Sequence, residues 1–406
     1  MSNVRAPILL GGYAAKQCPV RIQNDFLPMV PRLKWIPSPE DQAQLDAGNA
    51  FEARVFDHLT AIHPDAVLVD SNLAKAGAIA ITVEALRTGA SLILGGWLPD
   101  DLKGGRTGRP DVLVRAGQGY LPVDVKNHHT LKTSKSKGAV ISPLTSPEQW
   151  MEIPGWTAAT TQRYEDGLQL AHYTRMLEAI GCHSGPGQRW GAILGTSRIP
   201  SSAGQDPQWV FVWHDLDEPL GFTYSRSRGK VRRSLLERYD HEHSFRVKVA
   251  ENATRIIGRD GDPRPLVEPV GQYECRRCPY EQLCAQQIRA DDPSAAISVG
   301  GLGTREWLAL RRLGISTTTA LSALDPDDPG FFDNYFAEVS NLSRTDALAR
   351  LRGAIIRAEM ICNGIEITRT EVGPATVPVA DLEIDLDIEW DIDNRVYLWG
   401  ARVRGA

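Results

Sequence analysis

At 406 residues the chain has room for two or three domains, and 42% hydrophobic with 23% charged residues is a globular composition that excludes a fibrous or disordered chain. A net charge of −5 excludes a wholly basic surface, so contact with a polyanion has to come from local patches. No apolar run reaches the length of a membrane span.

The N-terminal stretch Ala6–Ala15 is apolar and runs towards Cys18, superficially like a lipoprotein leader. It is too short, only Arg5 charges its front, and the bulky Gln17 precedes the cysteine. The chain therefore reads as cytoplasmic, with no membrane partner. Ser38-Pro39 followed by Asp41 is a helix start: an N-cap serine, a proline in the first turn and an early acid. Its apolar stripe runs through Leu45, Val55, Phe56 and Leu59, and Glu52 falls on that stripe. A carboxylate facing a core is costly unless something compensates it, and a metal ion would. A tolerated edge position is the plainer reading of a single glutamate.

The most informative stretch follows. Gly108-Arg109-Pro110-Asp111-Val112-Leu113-Val114, a turn over Arg115–Gly119, and Tyr120-Leu121-Pro122-Val123-Asp124-Val125-Lys126 spell a hairpin of two β-branched strands. Side chains alternate along a strand, so Asp124 and Lys126 share one face while Val123 and Val125 point into the core. At ~3.3 Å per residue their bases stand ~6.6 Å apart, about right to bracket a water molecule on a metal. Asp111 enters from the partner strand. Two hard carboxylates suit Mg²⁺ or Mn²⁺, which activates water and neutralises charge on a phosphodiester. A hairpin with a surface salt bridge is the plainer alternative, because Asp-x-Lys alone is common.

Leu131–Gln149, rich in Ser, Thr and Lys, reads as a mobile loop beside these residues. A helix is predicted from about Gln162 to Ile180, with Gln169 and Tyr173 one turn apart beside Met176 and Ile180. Their polar groups need partners, which a phosphate backbone or a reacting water would supply. A basic run follows in Arg226, Arg228, Lys230, Arg232, Arg233 and Arg238, suited to tracking phosphates or simply to a solvated helix face. Gly258–Gly271, with three prolines, is a connector. Beyond it, Cys275, Cys278 and Cys284 make a C-x2-C-x5-C cluster. With Cys18 they supply four thiolates, enough for a tetrahedral zinc or an iron–sulfur cluster, which spacing alone does not separate. Cys182 and Cys362 stand apart and read as small buried residues.

The Gly-rich Val299–Gly303 opens a helical pattern through Leu324, and a further helix covers Arg344–Ile361. From Asp381 to Asp393 every second residue is acidic, with Leu382, Ile384, Leu386, Ile388, Trp390 and Ile392 between. That is a strand with one apolar and one anionic face.

Taken in order, Gly48-Asn49-Ala50-Phe51-Glu52, Pro110-Asp111, Asp124-Val125-Lys126 and Gln169-x-x-x-Tyr173 resemble the motifs of the RecB-like PD-(D/E)XK nucleases. Glu52 stands where many members carry histidine. The resemblance implies an α/β fold: a restriction-endonuclease-like mixed sheet flanked by helices, with a C-terminal helical segment and a short β tail. It implies a divalent ion on Asp111, Asp124, Glu52 and the Val125 carbonyl, with Lys126 acting on the water and Gln169 and Tyr173 as positioning groups. One N-terminal cysteine with a distant C-x2-C-x5-C is similar to the iron–sulfur staple of AddB and CRISPR-associated exonucleases, which favours a [4Fe–4S] cluster on Cys18, Cys275, Cys278 and Cys284.

The implied activity is exonuclease action on single-stranded DNA ends in repair or recombination. A CRISPR-adaptation nuclease and a non-catalytic iron–sulfur DNA-binding protein are the alternatives, and no motif specifies a helicase or repair partner. Residues 1–290 are expected to form the nuclease domain with its cluster. Residues 291–375 form a helical segment in which the Gly-rich turn and Leu313-Gly314-Ile315 resemble a helix-hairpin-helix element. Residues 376–406 form a hairpin resembling the start of an RNase H-like domain, assigned no activity because the sequence ends short of the remaining carboxylates.

Overall fold

The computed structural model describes residues 7–159, 163–199, 207–225, 229–288, 291–292, 301–339, 341–369, 373, 380–390 and 396–405. They divide into two compact units, Met1–Ala358 and Glu359–Ala406.

The first unit is built on a mixed sheet. In chain order its strands are β1 (Val67–Leu68), β2 (Leu92–Leu94), β5 (Val112–Ala116), β6 (Gly119–Val125), β7 (Leu131–Pro143), β8 (Met151–Ala158), β9 (Trp190–Ile199) and β10 (Gln208–Asp215), with β3 (Leu98–Asp101) and β4 (Arg106–Gly108) forming a small separate pair. Across the sheet the order is β1-β2-β5-β6-β9-β10-β7-β8. Only β1/β2 and β6/β9 are parallel; the other neighbours are antiparallel.

Helices cover both faces. The first three are α1 (Pro19–Phe26), α2 (Pro39–Ile62) and α3 (Lys75–Thr88); α4 (Arg163–Ala179) and α5 (Leu235–Ala253) follow the strands β8 and β10. Helix α2 begins as expected, with the Ser38 hydroxyl accepting the Asp41 amide at 3.1 Å. Its Phe51, Val55 and Leu59 share a core with Leu92, Leu94, Val112, Val114, Leu121, Val123 and Val125. Leu45, expected on that stripe, is exposed: the helix outruns the sheet at its N-terminal end and has nothing to bury there. On the opposite face α3 and α4 cover Ile93, Leu113 and Tyr120. Strand alternation thus sends Val123 and Val125 towards α2 and Asp124 towards α4.

The hairpin β5–β6 forms as expected, with Val112 opposite Val123, around a turn where Gly117 takes a positive φ. Leu131–Gln149 is a different matter. Its larger part is the strand β7, paired with β8 and β10, and not a loop. Residues 132–137 carry no apolar side chain, so the strand has no visible period there; Leu131, Ala139 and Ile141, packed with Val210 and Val212, hold it in the sheet. The basic run also departs from a helix face. Lys230, Arg232 and Arg233 lie on β12 (Gly229–Arg233), which pairs with β11 (Gly221–Ser225) in a separate hairpin. Arg238 lies on α5, and Arg226 and Arg228 fall outside the described residues.

Gly258–Gly271 is free of helix and strand, as a connector should be. After it come a 3-10 turn at Tyr273–Arg277 and α6 (Glu281–Gln287), then α7 (Thr304–Arg312), α8 (Thr318–Ser322), α9 (Pro329–Glu338) and α10 (Arg344–Cys362). Leu310, Leu321, Phe332, Tyr335, Leu351 and Ile355 give these last helices a core of their own. The turn amides there are occupied locally: Gly303 donates to Glu306 at 2.6 Å and Ile315 to the Leu310 carbonyl at 2.9 Å. In the second unit, β13 (Leu382–Trp390) and β14 (Val396–Gly405) form the expected hairpin. Leu382, Ile384 and Leu386 on its apolar face are exposed, and Arg404 pairs with Asp385 at 2.6 Å. Asp391, Ile392 and Asp393 fall outside the described residues. Cys362 is exposed and not the buried residue expected; Cys182 is half-buried at the edge of the α3/α4 core. Among the described residues no helix is long and apolar enough to cross a membrane.

Candidate active site

Asp124 is the centre of the site. It is 1% exposed, on a strand whose every residue is buried. Burying a carboxylate is costly, so its partners matter. Oδ1 accepts the Gln169 amide at 3.2 Å, and Oδ2 is in ion-pair contact with the Lys126 ammonium. Among the described residues no donor other than that ammonium reaches Oδ2. The register that pairs Val112 with Val123 brings Asp111 opposite Asp124. Asp111 Oδ2 accepts the Val125 amide at 2.7 Å. Burial first, then the charge of Asp124 and a hydrogen bond with it, push the Asp111 carboxyl well above the usual range.

Gln169 and Tyr173 come down from α4 as one unit. Gln169 donates to the Tyr173 hydroxyl at 3.3 Å and accepts from Lys126 Nζ at 3.2 Å. Burial, then Asp124 and Asp111, raise the Tyr173 phenol well above its ordinary value, so it stays protonated. Burial would lower the Lys126 ammonium, but Asp124, Tyr13 and Asp111 outweigh it and raise it. Glu52 reaches the group from α2: burial raises its carboxyl, Arg109 opposes this, and Asp124 adds to it. A cavity of about 660 Å³, walled by Asn49, Glu52, Phe56, Asp70 and Arg109, opens beside it.

Two glycines allow this crowding. A Cβ on Gly108 would lie 2.7 Å from the Tyr173 ring, and Gly95, at φ +63°, donates its amide to the Asp111 carbonyl at 2.7 Å while accepting Arg109 Nε at 3.0 Å.

The expected residues Asp111, Asp124, Lys126, Gln169 and Tyr173 therefore meet in one place, with Glu52 near enough for its charge to act on Asp111. Others meet them unannounced. The Tyr13 hydroxyl accepts from Lys126 Nζ at 3.4 Å, and Lys16 lies over the Tyr13 ring at 4.4 Å. His128 Nε2 lies 3.0 Å from Asp166 Oδ2. Burial pushes the Asp166 carboxyl up to about 6 against Lys126 and Lys16, while burial and Lys126 lower His128. Both residues had a signal in the sequence: His128 continues the Asp124/Lys126 alternation, and Asp166 precedes Gln169 and Tyr173 on one helix face. Tyr13 and Lys16 had none.

The donors fit a hard divalent ion. Two carboxylates buried against each other repel unless one is protonated or a cation joins them, and beyond the Lys126 ammonium Asp124 Oδ2 meets no donor among the described residues. Val125 spends its amide on Asp111; in an extended strand the carbonyl of the same residue points to the same edge, so it opens beside that carboxylate. Among the described residues no three His, Cys, Asp or Glu side chains form a ready-made cage, so a metal would have to draw them in.

The four clustered cysteines lie near enough to influence one another's charge, without forming a ready-made cage among the described residues. Cys18, the N-cap of α1, donates its amide to Glu274 at 2.8 Å, and the Tyr280 hydroxyl donates to Asp25 at 2.7 Å, tying α1 to the C-x2-C-x5-C segment. Burial pushes the Cys284 thiol up to about 11, and Cys278, Cys18 and Cys275 add to it. Its sulfur accepts from Asn24 at 3.7 Å, and that of Cys275 from the Gln272 amide at 3.5 Å. Such N–H···S bonds favour thiolate over thiol and suit sulfurs that bind metal. Compared with family models, curated proteins and solved structures, the chain matches none of them.

Proposed function

We propose that the chain is a RecB-like nuclease of the PD-(D/E)XK type, its sheet the restriction-endonuclease-like one, hydrolysing DNA phosphodiesters from single-stranded ends. One observation carries the reading: Asp111, Asp124, Lys126, Gln169 and Tyr173, from a hairpin and a helix far apart in sequence, form one buried hydrogen-bonded and charge-coupled group.

Asp111, Asp124, Glu52 and the Val125 carbonyl would hold Mg²⁺ or Mn²⁺. Such an ion supplies charge neutralisation at the phosphodiester and acidifies a water molecule. The rest of the work falls to the side chains. Lys126, kept protonated by its anionic neighbours, lies where it can orient the attacking water and take up charge developing on the phosphate. Gln169 fixes that lysine by accepting from Nζ while its amide holds Asp124. Tyr173 fixes Gln169, so the constellation is preorganised before substrate arrives. The cavity beside Glu52 and Arg109 is a natural path for the strand. Cys18, Cys275, Cys278 and Cys284 would hold a [4Fe–4S] cluster that joins the N-terminal segment to the end of the nuclease domain; its role is structural.

The test is incubation of purified protein with end-labelled single- and double-stranded DNA, and with RNA, in Mg²⁺, Mn²⁺ or chelator. The expected result is metal-dependent release of short products from single-stranded DNA, stopped by chelator. Binding without cleavage in either metal would replace this reading with the non-catalytic one.

A further inference from the structure

A second cavity, of about 510 Å³, opens between the N-terminal segment, α4 and α5, its wall including Lys16, Tyr164, Glu165, Arg238, Glu242 and Arg246. Lys16 joins it to the site already described: Lys16 lies over the ring of Tyr13, which meets Lys126, and its own charge interacts with Lys126 and Asp124.

The balance of charge on the wall is uneven. Arg246 is committed to Glu242 at 2.6 Å and to the Gln17 carbonyl at 3.0 Å. Glu165 is exposed. Arg238 reaches Glu242 only at 3.9 Å, lies over the Tyr164 ring at 5.6 Å, and has a buried Nε–H with no hydrogen-bond partner among the described residues. The Arg238 side chain is 37% exposed, so the rest of its guanidinium is open to a ligand in the cavity. Lys16, Arg238 and Arg246 thus outnumber Glu165 and Glu242 on the wall, and of the two arginines Arg238 has the looser ion pair. Tyr164 is held under Arg238 because position 221 has no side chain; a Cβ there would lie 0.9 Å from the Tyr164 hydroxyl.

We propose that this cavity is a subsite for the terminal phosphate of the nucleic-acid strand being cut, with Lys16 and Arg238 as its ligands. The proposal rests on the nuclease reading and deepens it. A terminal phosphate monoester carries nearly two negative charges where an internal diester carries one, which suits two cations on a single wall. The volume is that of a small-ligand site and admits one end of a strand, not a continuous duplex. An enzyme with this subsite measures its cut from a phosphorylated end.

The experiment uses one single-stranded oligonucleotide with a 5′-phosphate, with a 3′-phosphate, or with hydroxyls at both ends. Binding is measured in chelator and single-turnover cleavage in Mn²⁺. One phosphorylated form should bind about tenfold tighter than the hydroxyl form, as charge-assisted bonds to a dianion imply; which one identifies the end. Arg238→Gln should reduce that ratio to within about twofold, and Arg238→Lys should retain part of it. Lys16→Gln carries the same test should Arg238→Gln fail to fold. Equal binding of all three forms by the wild type overturns the subsite, as does a preference that survives both substitutions. Cleavage without end preference leaves the nuclease reading standing and removes the subsite. Preference in binding without cleavage supports the subsite and removes the nuclease reading.

Discussion

The Lys126 ammonium donates to the hydroxyl of Tyr13 at 3.4 Å, 113 positions away in sequence. Tyr13 sits on the same short segment as Cys18, whose amide is tied to Glu274 beside the cysteine cluster. The segment that completes the lysine's surroundings is therefore the segment the cluster would hold down.

Tyr13→Phe keeps the ring, 5.6 Å from Nζ, and removes the hydroxyl. A hydrogen bond to a charged group is worth roughly 1.5–3 kcal/mol, and this one is long, so kcat should fall by about tenfold with KM little changed. Single-turnover cleavage against DNA concentration separates the two. A weaker KM at unchanged kcat would make Tyr13 a strand-binding residue and not a partner of Lys126.

The centre of this site was legible because its rules are local. Asp111, Asp124 and Lys126 lie on one hairpin, where alternation fixes which side chains share a face, and Gln169 and Tyr173 are one turn apart on a helix. Glu52 was legible as a carboxylate on an apolar stripe. Tyr13 and Lys16 were not, because they reach the site through tertiary contacts of an N-terminal segment without helix or strand period. β7 was hidden for a related reason: its lysines face solvent, and its place in the sheet is decided by β8 and β10.

Asp111 and Asp124 are buried together at a cost that a cation removes. Wild-type protein should melt higher in Mn²⁺; at a hundredfold excess over Kd the gain is about 2.7 kcal/mol. Asp111→Asn should raise the melting temperature of the metal-free protein, because the cost of burying a titratable carboxyl beside Asp124 is gone, and should abolish the response to Mn²⁺. A mutant that still gains the wild-type increment would show that the ion sits elsewhere. Differential scanning calorimetry with and without chelator makes the comparison.

Asp124→Ala and Lys126→Ala should each abolish cleavage while leaving much of the DNA affinity, since binding is spread over many phosphate contacts. Full activity in either variant, with contaminating nucleases excluded, would remove the assignment.

Anaerobically purified protein should be brown, with about four irons per chain. Cys278→Ser should bleach it and lower its stability, because a group joining α1 to the segment after the connector contributes folding free energy. Cys182→Ser and Cys362→Ser should keep the colour, as neither belongs to the expected ligand set. Cys18→Ser is the sharper test: iron content undiminished by that change would mean another group supplies the fourth ligand. Stoichiometric zinc without iron would make the staple a zinc site and leave the catalytic assignment untouched.

The last prediction concerns acid. Burial holds His214 down to about 3, with Arg163 adding to it. Burial also lowers His172 to about 3 and His243 to about 4. A histidine unfolds to an ordinary value near 6.5, so between pH 6.5 and these lowered values the unfolded chain binds protons that the folded one refuses. Each group's contribution is therefore fully present above about pH 6.5 and is lost as pH falls. Asp166, raised to about 6, works the other way: the folded chain holds its proton where the unfolded one does not, which favours the fold as pH falls. A comparison of wild type with His214→Gln isolates one histidine from this background. In urea titrations at pH 7, 6, 5 and 4.5, wild-type stability should decline relative to the variant by about 1.4 kcal/mol per pH unit below pH 6. Parallel curves would mean that His214 accepts its proton in the folded protein, and that its burial is less complete than the sheet packing requires.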